Sequence, residues 1–120
     1  MMSKQETPAP ARGSEILDQL YTVIEQRRSA DPSESWTAKL MHKGLPKICQ
    51  KVGEEATEVV VAALAESREE LLEESADLLY HLLVLWAAKE VQPDAVYEVL
   101  HRRRIEMDIK KKKQKKLEKK

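Results

Sequence analysis

The sequence predicts an all-α protein, a helical bundle of about four helices per chain completed by homodimerisation. The 120-residue chain has three glycines and five prolines, too little turn chemistry for a sheet protein. Its apolar residues are mostly Leu, Val, Ala and Ile interleaved with Glu and Lys, and aromatics are limited to two Trp and three Tyr. With 42% hydrophobic residues, a chain of this length buries one core and forms one domain.

The elements follow in order. Residues 1–13, polar and carrying Pro8 and Pro10, are expected to be disordered. Ser14 is placed to cap a first helix with the stripe Ile16, Leu17, Leu20, Tyr21 and Ile24, fading at Arg27-Arg28-Ser29. After a polar linker, Trp36 to Lys43 forms a short helix stopped by Gly44. Pro46 is acceptable in the first turn of the next helix, where its missing N–H costs nothing. That helix runs to about Ala65 with Leu45, Val52, Ala56, Val59, Val60 and Ala63 on one face. Glu54 and Glu58 lie roughly opposite, and Glu55 near the flank. Ser67-Arg68-Glu69-Glu70 fits a capping box that opens a helix over about 68–90. Leu71, Leu72, Leu78, Leu79, Leu82, Leu83 and Trp86 are expected to face inward. The second half of this helix is apolar almost all round, which implies burial on more than one side. A homodimer supplies that more readily than a small monomer. Pro93 and Asp94 open the last helix, with Val96, Val99, Leu100 and Ile105 as its buried positions. The helical domain is drawn at 14–109, and 110–120 as a Lys-rich mobile tail.

The formal net charge of zero conceals an asymmetry. Residues 101–120 hold eleven Lys/Arg against three Asp/Glu, whereas residues 1–100 hold ten against eighteen. An acidic body thus precedes a basic tail. The single cysteine, Cys49, excludes an internal disulfide and suits a reducing compartment. No apolar run approaches the roughly eighteen residues a membrane helix needs. The N-terminus lacks a basic-then-apolar signal pattern, so the chain reads as cytoplasmic.

The chemistry is concentrated in Glu54-Glu55-Ala56-Thr57-Glu58, answered by Glu74-Ser75-Ala76-Asp77. Helical periodicity stacks Glu54 and Glu58 on one face with Glu55 beside them, and it stacks Glu74 over Asp77. Two acidic stripes on consecutive helices repel unless a cation lies between them. Mg²⁺ or Mn²⁺, which take oxygen ligands, are the natural candidates. The bland alternative is a solvated Glu-rich face, and Glu66, Glu69, Glu70 and Glu73 read that way. Glu55 and Asp77 differ because they abut apolar runs, where an unpaired carboxylate is expensive.

Lys39, Lys43, Lys47 and Lys51 recur every four residues ahead of the acidic motif. They read either as phosphate-binding charges beside the metal or as a solvated stripe pairing with Glu54, Glu55 and the Glu34 region. His81 reads as a core or interface residue, or as a second-shell partner bonding the Asp77 carboxylate one turn back. Cys49 is expected to be a small buried hydrophobe. The lysine tail has no interleaved aromatic and no base-reading motif, so no specific nucleic-acid partner is expected.

These motifs resemble the all-α nucleotide pyrophosphatase superfamily that includes MazG-type enzymes and dimeric dUTPases. Trp36-Thr37-Ala38-Lys39-Leu40, Lys43-Gly44-Leu45-Pro46-Lys47-Ile48, Gln50-Lys51-Val52-Gly53-Glu54-Glu55 and Asp77-Leu78-Leu79-Tyr80-His81-Leu82-Leu83-Val84-Leu85 narrow the likeness to the phosphoribosyl-ATP pyrophosphatase family. The resemblance spans residues 14–105. It implies a helical homodimer acting on a small-molecule nucleotide, releasing pyrophosphate from phosphoribosyl-ATP with Mg²⁺. Carried over position by position, Glu54, Glu55, Glu58, Glu74 and Asp77 are the implied metal set. A carboxylate not saturated by metal, Glu54 or Glu55, would accept the proton of the attacking water. Lys43, Lys47 and Lys51 would neutralise the triphosphate. The alternatives are a house-cleaning nucleoside triphosphate pyrophosphohydrolase with the same metal site, and a non-catalytic helical dimer whose acidic stripes bind a basic partner.

Overall fold

The computed structural model describes residues 13–105 and 116–118. Five helices fill the first stretch: α1 (Ser14–Arg27), α2 (Trp36–Lys43), α3 (Leu45–Ala65), α4 (Arg68–Ala88) and α5 (Pro93–Ile105). No strand occurs among the described residues. The short Trp36–Lys43 helix stands as expected beside four longer helices. The disorder expected of residues 1–12 and most of the expected mobile tail lie outside the described residues; Lys116–Glu118 form an exposed helical turn.

Local chemistry sets the boundaries. Gly13, not Ser14, stands at the N-cap of α1, with φ 56°. Ser35 Oγ accepts the Ala38 N–H at 3.1 Å and opens α2. Gly44 closes α2 and opens α3 at once: its N–H reaches Leu40 O at 3.0 Å, and its own carbonyl accepts Ile48 N–H at 3.2 Å. It does so at φ 99°, where a β-carbon would be strained. Ser67 Oγ accepts the Glu70 N–H at 3.2 Å and starts α4 as expected. The end of α4 returns Glu90 N–H to Ala87 O at 3.1 Å and Val91 N–H to Trp86 O at 2.8 Å. This pair of bonds is a Schellman closure with Glu90, at φ 59°, in the position glycine prefers.

The frame is the hairpin of α3 and α4, each 21 residues and joined only by Glu66 and Ser67. It forms the most extensive helix–helix contact of the chain. The core gathers at one end of it, where Tyr21, Ile24, Leu40, Ile48, Leu83, Val84 and Ala87 are buried together. Its polar edges are closed by three bonds. Tyr21 Oη donates to Val91 O at 2.9 Å, Arg28 Nη1 donates to Ala87 O at 3.0 Å, and Tyr97 Oη donates to Asp18 Oδ1 at 3.0 Å.

The inward faces differ from expectation. On α3 the fully buried residues are Ile48, Glu55 and Ala62, at steps of seven, while Leu45, Val60 and Ala63 are exposed. Glu55 therefore sits on the buried face and not at its flank. The segment Val59–Leu64 is apolar on every side, so its pattern identifies no face; contact with α4 does. Cys49 is exposed, which corrects its reading as a buried hydrophobe: Ile48, its neighbour, occupies the inward position. Leu72 and Leu79 on α4, Ile16 on α1 and Leu100 on α5 are likewise exposed. No described helix is long and apolar enough to cross a membrane.

Candidate metal and phosphate site

Glu55 and Glu58 are three residues apart on α3, so they share a face, and the hairpin brings Glu74 of α4 against it. One carboxylate oxygen from each of these three lies within 4.8 Å of the others. Two oxygens in this group, Glu55 Oε1 and Glu74 Oε1, are buried with no hydrogen-bond partner among the described residues. Buried acceptors are nearly always satisfied, and like charges at this spacing repel. A hydrogen bond with Glu58, then burial, then the charges of Glu58, Asp77 and Glu55 push the Glu74 carboxyl up to about 7. Without metal, the Glu74 carboxyl thus holds its proton close to neutrality. An all-oxygen anionic set with orphaned acceptors fits a hard divalent cation such as Mg²⁺ or Mn²⁺.

The other two acidic candidates stand outside this trio. Asp77, exposed on α4, bears on Glu74 by charge alone. Glu54 Oε2 accepts from Gln50 Nε2 at 2.7 Å, and its Oε1 pairs with Lys51 Nζ at 3.3 Å. Those two contacts hold its carboxyl below the usual range.

Lys51 is the lysine that reaches the acidic site. Its Nζ lies 3.6 Å from Glu55 Oε2 as well as bonding Glu54. Partial burial lowers its pKa, but the two carboxylates outweigh this and hold it above the usual value. Lys47, half-buried, acts on Glu54 through space, while Lys39 and Lys43 are exposed on α2. None of these three forms an ion pair among the described residues.

His81 is buried but does not bond a carboxylate. Its Nδ1–H donates to the backbone carbonyl of Asp77 at 2.8 Å, and its Nε2 accepts the indole N–H of Trp36 at 3.2 Å. The i−4 carbonyl of its own helix outcompetes the exposed Asp77 side chain, which corrects the second-shell expectation. Tyr80 bonds Thr37 Oγ1 through its hydroxyl, tying α4 to α2 at the same level. Sequence reasoning missed the Trp36–His81 contact, since 45 residues separate the partners and no spacing rule links them.

Acidic side chains of two consecutive helices brought to one point are the arrangement that the resemblance to all-α nucleotide pyrophosphohydrolases implies. Residues 17–104 match the family described as phosphoribosyl-ATP pyrophosphohydrolase, and the chain belongs to that family. Among curated relatives, the phosphoribosyl-ATP pyrophosphatase of Paramagnetospirillum magneticum is 58% identical over 93 residues, covering 78% of this chain and 85% of its own. That of Rhodospirillum rubrum is 57% identical over 95 residues, covering 79% and 81%. That of Sulfurisphaera tokodaii is 54% identical over 90 residues, covering 75% and 96%.

Proposed function

We propose that this chain hydrolyses phosphoribosyl-ATP to phosphoribosyl-AMP and pyrophosphate, the second step of histidine biosynthesis, using Mg²⁺ held between α3 and α4. The substrate rests on the activity for which the relatives are named. The observation that carries the metal is the pair of buried, partnerless oxygens of Glu55 and Glu74 inside the three-carboxylate cluster.

Glu55, Glu58 and Glu74 would hold the cation, with Asp77 adding charge from the next turn of α4. A divalent ion there supplies stabilisation of the charge that develops on the departing pyrophosphate. Glu54, kept ionised by Gln50 and Lys51 and left outside the cluster, takes the proton of the attacking water. Lys51 leaves Glu55 as the cluster is neutralised and turns to the phosphates, joined by Lys47, Lys43 and Lys39 from the segment that leads into α3. The chain works as a homodimer in the cytoplasm. Val60, Val61, Leu64, Leu72 and Leu79 leave an apolar hairpin surface that a second copy would cover, Leu64 being 84% exposed.

The test is pyrophosphate release from phosphoribosyl-ATP, beside dUTP, dCTP and ATP, with Mg²⁺ and with EDTA. Turnover of phosphoribosyl-ATP alone, abolished by EDTA, is expected. Preferential turnover of a common nucleotide would refute the substrate, and undiminished turnover in EDTA would refute the metal.

A further inference from the structure

Trp36 stands beside the carboxylate site, 44% exposed, with no part in the chemistry described above. Its orientation is nevertheless fixed. The indole N–H donates to His81 Nε2 at 3.2 Å, and His81 Nδ1 meets the Asp77 carbonyl at 2.8 Å. An indole nitrogen only donates and a carbonyl only accepts, so both bonds together require the neutral Nδ1–H tautomer of His81. The imidazole is itself buried and braced edge-on by Tyr80, with centroids 4.9 Å apart at 82°. A large aromatic surface is thus held in solvent by a buried support, which is how a preorganised binding surface is built.

The ring also faces a cation. Lys51 Nζ lies 5.9 Å from the indole centroid while reaching Glu55 Oε2 at 3.6 Å. One ammonium therefore connects the aromatic platform to the carboxylates, placing the two within the length of a nucleotide. We propose that Trp36 is the platform on which the substrate's adenine stacks, that His81 is its positioning residue, and that the indole favours an adenine made cationic by alkylation at N1. The proposal rests on the phosphoribosyl-ATP reading. That substrate carries its added ribose on N1 of adenine, and N1-alkylated adenine is protonated at neutral pH, whereas the adenine of ATP is not. Indole is the strongest side-chain face for a cation, so one ring supplies both base stacking and discrimination against ATP. The incoming base takes the place of Lys51 over the ring and leaves that ammonium to the phosphates.

The experiment compares the full-length wild type with Trp36→Leu and Trp36→Phe in saturating Mg²⁺. Trp36→Leu should raise KM for phosphoribosyl-ATP about tenfold or more with kcat little changed, and Trp36→Phe should lose less. Calorimetric binding of AMP and 1-methyl-AMP should show a preference for the methylated, cationic nucleotide in the wild type that disappears in Trp36→Leu. His81→Phe should raise KM in the wild-type background and add nothing in Trp36→Leu, because it acts through the indole. An unchanged KM in Trp36→Leu would overturn the platform, as would a fall in kcat alone. Equal binding of the two nucleotides by the wild type would overturn the preference for charge. Absence of phosphoribosyl-ATP turnover by the wild type would sink the functional reading instead, and the two binding isotherms would then judge the platform alone.

Discussion

Metal affinity should collapse in a defined way below neutral pH. Glu74 has its carboxyl pushed up to about 7 by Glu58, burial, Asp77 and Glu55, and a divalent cation binds only its ionised form. With a pKa near 7, roughly one molecule in ten has Glu74 ionised at pH 6 and one in a hundred at pH 5. Apparent affinity should therefore be about tenfold weaker at pH 6 and about a hundredfold weaker at pH 5 than on the alkaline plateau. The proton displaced should be visible too, about half an equivalent per metal at pH 7 and nearly one at pH 6. Titration calorimetry with Mn²⁺ between pH 5 and 8.5, in buffers of contrasting ionisation enthalpy, reads both quantities. Glu58→Gln removes the largest influence on Glu74, so the break in its profile should move down toward the ordinary carboxylate value of 4.5. An affinity constant within twofold from pH 5.5 to 7.5, or a break unmoved in Glu58→Gln, would refute the raised Glu74 carboxyl as the gate on metal binding.

The same shift has a consequence for the metal-free fold. Because the Glu74 pKa is raised on folding, the folded chain binds the extra proton between about 4.5 and 7. That contribution to stability is complete at low pH and lost as pH rises through 7, so urea midpoints in EDTA should fall from pH 5 to pH 7.5 and Mg²⁺ should close the gap. Glu55→Gln should cut Mg²⁺-dependent turnover by about 10²–10⁴ while its metal-free melting temperature stays at or above that of the wild type, read by circular dichroism. Glu90→Gly should stabilise the chain by about 1 kcal/mol in chemical denaturation, since a left-handed residue closes α4. Leu64→Glu, at the most exposed apolar position of the hairpin, should shift sedimentation to the monomer with helicity retained.

The sequence made the helix boundaries legible because each has its own local chemistry. Gly44 and Ser67 act through bonds to residues three or four positions away and Pro46 through the N–H it lacks, and all three stop or start helices where spacing places them. Faces were less legible. A run such as Val59-Val60-Val61-Ala62-Ala63-Leu64 offers apolar side chains in every direction, and only packing against α4 selects Ala62. The carboxylate site followed the same division. Three of five spacing candidates, Glu55, Glu58 and Glu74, do converge, because helical periodicity and a two-residue link fix them. Glu54 is drawn off by Gln50 and Lys51 on its own helix, a competition between side chains that periodicity does not weigh. Glu90 in a left-handed conformation carried no signal at all, since glycine would be the residue to expect there.

The placement of Glu55 shows how one hairpin could serve both stability and the proposed chemistry. Its position is in step with Ile48 and Ala62, the two fully buried apolar residues of α3, so the packing that forms the core also aims the carboxylate. Leucine at position 55 would suit that face better in the absence of metal. Glutamate leaves Oε1 buried without a partner and opposes it with Glu58 and Glu74, and Lys51 reaches only Oε2. Lys51 is therefore an internal counter-ion of limited reach, adequate to hold the fold and unable to satisfy the cluster. On the proposed reading the uncompensated remainder would drive cation binding, most strongly above neutral pH, where the Glu74 proton is gone. Affinity for metal and instability without it would thus be two readings of one electrostatic strain.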